Sequence, residues 1–295
     1  MPTALVFPGQ GSQRPQMAAP WRDHPGFARW AEADEVLGRD TTRLGLEADA
    51  DELREPASCQ VALFVHGAVV LEGWLAAGGA EPVAAAGHSL GEYDALAAAG
   101  VLSFADGLRL VDARARHTQA AADASPGTMV ACLGFDVDDV RAAAGEFGAH
   151  IANDNAPGQV VVAGARRALA ALRDRLSEAG GKVISIDVGA AYHSPHMESA
   201  VQPFGEALDA AGFAEAAVPV VANVDARPHT AAAEWPHLLR AQLTAPVRWR
   251  ETVGTLAGLG VTEIVELGAS AVLTGMVKRI DRDLDRRTVT RPEEL

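Results

Sequence analysis

The 295-residue sequence predicts an α/β protein, with a large domain built on a mainly parallel sheet and a small ferredoxin-like βαββαβ domain inserted in it. Three observations predict it. Short apolar, β-rich runs alternate with helical patterns near both ends of the chain. Over about residues 127–188 the order of elements becomes β-α-β-β-α-β, the split-βαβ pattern. Beyond that stretch the strand and helix alternation resumes, as an insertion requires. The expected boundaries are 1–124 and 191–295 for the large domain, and 125–190 for the small one.

The elements follow in order. "TALVF" is a short β-rich run closed by Pro8-Gly9, so it reads as a buried strand feeding a loop. Helical patterns continue through Leu53. The apolar stretch "VALFVHGAVVLEGWLAAGGA" from Val61 has the length of a membrane span. His66 and Glu72 interrupt it and three glycines follow Leu71, so a buried core helix over about 61–75 is expected. "EPVAAAGHS" reads as a turn and a short strand, and residues 90–99 as a helix. Residues 103–122 form another helix, opened by a Ser103 cap with Asp106 three residues on. In the inserted part, "TMVACLGF" is a strand and "DVDDVRAAAGEF" a helix. "HIANDNAPGQVVVAG" is two strands across a turn, "ARRALAALRDRLSEAGG" a helix and "KVISIDV" a strand. "AVPVVANV" and "EIVEL" supply late strands and "AVLTGMVKRI" a late helix, and the tail "RTVTRPEEL" is expected to fray.

A composition of 48% hydrophobic and 22% charged residues is that of a soluble globular protein. The net charge of −14 argues against nucleic acid or an anionic membrane as partner. Cys59 and Cys132 make neither a metal-ligand spacing nor a disulfide framework. With no basic-then-apolar leader, a cytoplasmic, reducing location is expected.

Gly87-His88-Ser89-Leu90-Gly91 fits G-x-S-x-G between a predicted strand and a predicted helix. A nucleophile on such a turn has a strained backbone, and its neighbours must lack side chains so that strand and helix can approach. The hydroxyl then sits at a helix N-terminus, where free N–H groups favour developing negative charge. The bland alternative is an ordinary turn serine. Such a nucleophile needs a base. Among nine histidines, His88 adjoins Ser89 but should point away from its hydroxyl, in a supporting role. "YHSPHM" places His193 and His196 in a proline-containing loop just after the small domain. An H-x-x-H pair can bind metal, yet Pro195 breaks the helix that would align it, and no metal is expected.

Six motifs, "FPGQGSQ", "GHSLGEY", "VDARARHTQ", "NDNAPGQVVVAG", "YHSPHM" and "QLTAPVRW", occur in the order and approximate spacing of one family. Over nearly its whole length the chain resembles the malonyl-CoA:acyl carrier protein transacylases and polyketide synthase acyltransferase domains. The resemblance implies an α/β-hydrolase-like large domain and a Ser–His dyad of Ser89 and His193. It implies that a backbone carbonyl near Gln242 steadies the imidazole, so no third acidic residue is nominated. The oxyanion hole would be the backbone N–H groups of Gln10 and Leu90. Arg114 would pair bidentately with the free carboxylate of a malonyl unit, a task suited to a planar guanidinium. Asn153 and Asn155 match an active-site turn.

Two departures bear on the acyl group. The family's Gly-Pro-Gly-Lys or Gly-Pro-Gly-Asn loop is "GASA" here, residues 268–271, and Tyr192 stands where Phe or Ser often precedes the histidine. The resemblance implies ping-pong transfer from an acyl-CoA to the phosphopantetheine thiol of an acyl carrier protein, with no cofactor beyond the coenzyme A thioester itself. Arg166, Arg167, Arg173, Arg175, Lys278 and Arg279 are candidates for a basic docking face, or else plain solvated helix faces. Alternatives are an editing acyl-thioester hydrolase, a transferase for an unusual acyl group between carrier proteins, and a noncatalytic carrier-binding protein.

Overall fold

A computed structural model describes all residues from Met1 to Leu295. The first strand, β1 (Thr3–Phe7), is buried along its whole length, which its five apolar or β-branched residues allow. Helices α1 (Ala28–Leu37), α2 (Thr42–Leu46) and α3 (Pro56–Ala76) follow. The long apolar helix α3 is packed inside the protein, as expected of a core helix. Strand β2 (Ala84–Gly87) then leads through a tight turn into α4 (Gly91–Ala98) and α5 (Phe104–Ala124). Ser103 caps α5, its Oγ accepting from the Asp106 N–H at 3.0 Å.

The inserted unit runs β3 (Thr128–Leu133), α6 (Val137–Glu146), β4 (His150–Ala156), β5 (Gln159–Gly164), α7 (Arg166–Glu178) and β6 (Lys182–Ile186). Its four strands form a separate antiparallel sheet of order β4-β5-β3-β6. Period-two alternation gives that sheet two different faces. Val130, Val160 and Val162 pack on α6 and α7, whereas Met129, Val161 and Ala163 turn to the main core.

The chain returns through α8 (Glu198–Ala210), β7 (Val220–Val221), β8 (Pro228–His229), α9 (Trp235–Gln242) and α10 (Trp249–Gly258). It ends with β9 (Glu263–Leu267), α11 (Leu273–Ile280) and β10 (Asp285–Val289). The large sheet has the order β10-β9-β1-β2-β7-β8, parallel except for the β7–β8 pair. The predicted fold class is therefore present.

The tail departs from expectation. Residues 285–289 do not fray but pair with β9 over five positions, from Asp285↔Glu263 to Val289↔Leu267. Val289 is fully buried and the Thr290 carbonyl accepts from Trp21 Nε1 at 3.1 Å. The charged residues that read as a frayed end belong to the exposed side of an edge strand. The late strand expected over "AVPVVANV" is only two residues long, because the chain leaves the sheet to bring Asn223 under the β2–α4 turn. Glu266 of β9, wholly buried, accepts from the N–H groups of Val272, Leu273 and Thr274 at 2.8–2.9 Å. An acidic side chain on unsatisfied first-turn donors fixes the start of α11, which forms one wall of the site.

Candidate active site

The turn from β2 into α4 explains its glycines sterically. A Cβ on Gly87 would lie 1.9 Å from the Gly91 carbonyl carbon, and one on Gly91 would lie 2.1 Å from the Phe7 oxygen. Strand, turn and helix can meet only where these side chains are absent. Ser89 at the apex has φ +54°, a left-handed conformation costly for a non-glycine residue. His193, in the loop after the small sheet, has φ +56°. Both residues of the expected dyad are thus held in a strained backbone by their surroundings.

Ser89 Oγ and His193 Nε2 are 2.7 Å apart. On the far side of the ring, Nδ1 lies 2.9 Å from the main-chain carbonyl oxygen of Gln242. A carbonyl only accepts, so the proton sits on Nδ1 and the Nε2 lone pair faces the serine O–H. Burial and, after it, the positive charge of Arg114 push the imidazole down to about 3, so the ring is neutral at neutral pH.

Arg114 projects from α5 and is only 2% exposed. Its Nη1 donates to Gln60 Oε1 at 2.6 Å, and its Nη2 to Ser89 Oγ at 3.1 Å and to Gln242 Oε1 at 3.2 Å. The Tyr93 ring lies beneath the guanidinium, 5.8 Å from Cζ to centroid. A buried guanidinium donating to the serine oxygen favours negative charge on that oxygen and on any group beside it.

The first loop reaches the same point. A Cβ on Gly9 would meet the His88 carbonyl oxygen at 2.4 Å and the Leu90 nitrogen at 3.5 Å, so this loop rests directly on the serine turn. Neither the Gln10 nor the Leu90 backbone N–H has a protein acceptor. Both are available to an oxygen placed beside Ser89. His88 points away from the hydroxyl, and its ring bonds Asn155 Oδ1 at 2.8 Å and packs beside Trp249. Since the amide oxygen accepts, Nε2 carries the proton. This contact ties the serine turn to β4.

A cleft of about 160 Å³ opens over Ser89 and His193. The small sheet contributes Met129, Asn153, Val161 and Ile186 to its wall, Tyr192 precedes the histidine, and α11 contributes Leu273 and Met276 just past the "GASA" loop. Burial pushes the Tyr192 phenol up to about 12, so it stays neutral. His193 and His196 diverge, the latter bonding Ser125 Oγ at 2.9 Å, so the H-x-x-H pair does not converge on one point. The six candidate docking cations lie on two helices. Arg166, Arg167, Arg173 and Arg175 lie on α7, which covers the sheet face opposite the cleft. Lys278 and Arg279 lie on α11, beside the cleft, and Arg279 is bonded to Gln159 and the Pro157 carbonyl. Helical clustering in sequence could not tell which side of the small sheet α7 covers.

Three further site residues escaped the sequence reading. Asn223 accepts the Ser89 N–H at 2.7 Å and donates to the Gly87 carbonyl at 2.7 Å, bracing the strained turn from below. Glu92, on the first turn of α4, accepts from the Asn223 N–H at 2.6 Å and from Gln242 Nε2. Burial raises this carboxyl to about 8 despite the opposing pull of the two N–H donors and Arg114. Gln60, on α3, supports Arg114. A polar residue within an otherwise apolar run, as in "SCQVALF" and "VVANV", was the available signal.

Known proteins resemble the chain over nearly its whole length. The family model described as acyl transferase domain matches residues 4–290. The malonyl CoA-acyl carrier protein transacylase of Bacillus subtilis (strain 168) is 36% identical over 300 residues, covering 99% of this chain and 94% of that protein. The crystal structure of a malonyl-CoA:acyl carrier protein transacylase from Xanthomonas oryzae pv. oryzae is 40% identical with a TM-score of 0.95, covering 99% of this chain and 96% of that one. A malonyl-transacylase solved with its type II polyketide synthase acyl-carrier protein is 36% identical, also with a TM-score of 0.95, over 99% and 96% of the two chains. With the match spanning almost the entire length, the chain belongs to the acyl transferase domain family of acyltransferases.

Proposed function

We propose that this enzyme moves a malonyl group from coenzyme A to the phosphopantetheine thiol of an acyl carrier protein through a malonyl-serine ester. The observation that carries the acyl choice is a buried guanidinium 3.1 Å from the nucleophilic oxygen. An acyl group with a free carboxylate would find a planar cationic partner there, and a plain acetyl group would not. The similar proteins named as malonyl transacylases support the same choice, and the relative bound to a carrier protein supports the acceptor.

In this mechanism His193 Nε2 takes the Ser89 proton as Oγ attacks the thioester carbonyl. The Gln10 and Leu90 N–H groups donate to the oxyanion. The Gln242 carbonyl steadies the imidazolium through Nδ1–H, in the place an aspartate takes in a triad. Collapse of the tetrahedral species expels the coenzyme A thiol, which takes the proton from His193. As Ser89 Oγ becomes an ester, Arg114 turns from that oxygen to the malonyl carboxylate. The carrier thiol then attacks, with His193 again as base and Ser89 as leaving group. No group beyond the side chains and main-chain groups named is called on in any step, so none is proposed as a cofactor. The reading places the enzyme in the cytoplasm, a setting that suits its two buried, unpaired thiols.

Intact-mass measurement after incubation with malonyl-, methylmalonyl- and acetyl-CoA tests the proposal. It expects a malonyl adduct on the parent, none on Ser89→Ala, and discharge by holo carrier protein faster than by water. An acetyl adduct formed as readily, or discharge no faster than by water, would overturn it.

A further inference from the structure

The Gln242 amide lies between an acid and a base, and its orientation is imposed. Its Nε2 donates to the Ser89 carbonyl at 2.9 Å and to a Glu92 carboxyl oxygen, which uses both amide hydrogens. Its Oε1 is thereby turned toward Arg114, where it accepts from Nη2. The second Glu92 oxygen accepts the Asn223 backbone N–H, a donor that cannot rotate. Glu92 is 1% exposed and takes part in no step of the reaction described above.

We propose that Glu92 is a positioning residue for acyl selection: by holding the Gln242 amide one way round, it aims the Arg114 guanidinium at the carboxylate of the acyl group. The proposal rests on the reading of Arg114 as the carboxylate partner. Only an acceptor of two hydrogen bonds serves at position 92. In Glu92→Gln the new amide has one oxygen for two N–H donors. Asn223 retains that oxygen, so the new NH₂ group faces Gln242 Nε2. Gln242 relieves the contact by turning over, which gives up its bond to the Ser89 carbonyl and presents its own NH₂ to Arg114, a donor against a permanent cation. The guanidinium is then displaced from the nucleophile, while Ser89 and His193 keep their mutual contact.

The test measures acyl-serine formation from malonyl-CoA and from acetyl-CoA with the same preparation of Glu92→Gln. The ratio of the two rates is independent of how much of the enzyme is folded. Loss of a buried hydrogen-bond partner predicts a fall of roughly tenfold or more in the malonyl/acetyl ratio, seen mainly as a raised KM for malonyl-CoA. A ratio equal to that of the parent, whether or not both rates fall, would mean a purely structural role and overturn the proposal. Arg114→Ala separates the two levels of the argument. If it leaves the ratio intact, the carboxylate reading of Arg114 fails; if it collapses the ratio and Glu92→Gln does not, the assignment of Glu92 alone fails. Should Glu92→Gln not fold, Gln242→Met removes the oxygen on which Arg114 leans, and an unchanged ratio there overturns the proposal equally.

Discussion

Replacing Gly9 with alanine should slow acylation without weakening substrate binding. Gly9 does not occupy a left-handed conformation, so a methyl group there brings no backbone penalty. Its one severe obstacle is the His88 carbonyl oxygen, 2.4 Å from the new Cβ, whereas real Cβ contacts begin at about 3.0–3.4 Å. Loop and serine turn must therefore separate by about 0.6–1 Å. An oxyanion donor works at roughly 2.7–3.1 Å, and such a shift carries a bond of about 2.9 Å to about 3.5 Å or beyond, where little remains of it. One donor of this kind contributes about 2.7–4 kcal/mol, so Gly9→Ala should reduce the acylation rate by about 10²–10³-fold. Arg114 is untouched, so KM for malonyl-CoA should change little. Rapid-quench mass spectrometry of the malonyl-serine adduct measures the rate, with circular dichroism confirming the fold. A folded variant that acylates within about threefold of the parent would refute the placement of Gln10 as a donor.

Three further outcomes are expected. The depressed His193 places the acid limb of the acylation rate well below the ordinary histidine value of 6.5, and Arg114→Gln, assayed with acetyl-CoA, should move it upward; a limb near 6.5 in the parent would contradict this. The unfolded chain then binds more protons at this residue than the folded one between about pH 3 and 6.5, so its contribution to stability falls as pH falls through that window. His193→Gln should accordingly lose less thermal stability than the parent on acidification from pH 6.5 to about pH 4, as differential scanning calorimetry would read. Deleting residues 285–295 removes an edge strand and the buried Val289, and should cost at least about 2 kcal/mol in urea unfolding; an unchanged midpoint would show that β10 adds nothing.

The chemistry was the most legible part of the sequence because it depends on local spacing. G-x-S-x-G is the steric condition for a sharp strand-to-helix turn, and Gly87 and Gly91 meet it atom by atom. The family resemblance carried by six motifs in order implied the dyad, the first loop and Arg114. The fold class followed from alternation of elements, and the βαββαβ order marked the small sheet. What was hidden depends on distant chain segments meeting. Asn223 reaches Ser89 across 134 positions and Glu92 reaches Gln242 across 150, and no local pattern records either pairing. β10 was missed because an edge strand solvated on one side carries charges that resemble a loose terminus. For the arginines of α7, helix periodicity says which residues share a face, not where that face looks.

Serine and histidine belong to one sheet's framework, while Met129, Val161 and Ile186 line the cleft from another. Reactivity and fit are therefore heritable apart. Mutations on the smaller sheet can widen or narrow the room for an acyl branch and leave proton transfer as it was. Arg114 stays with α5, so such changes alter the space beside the acyl chain and not the contact to its carboxylate.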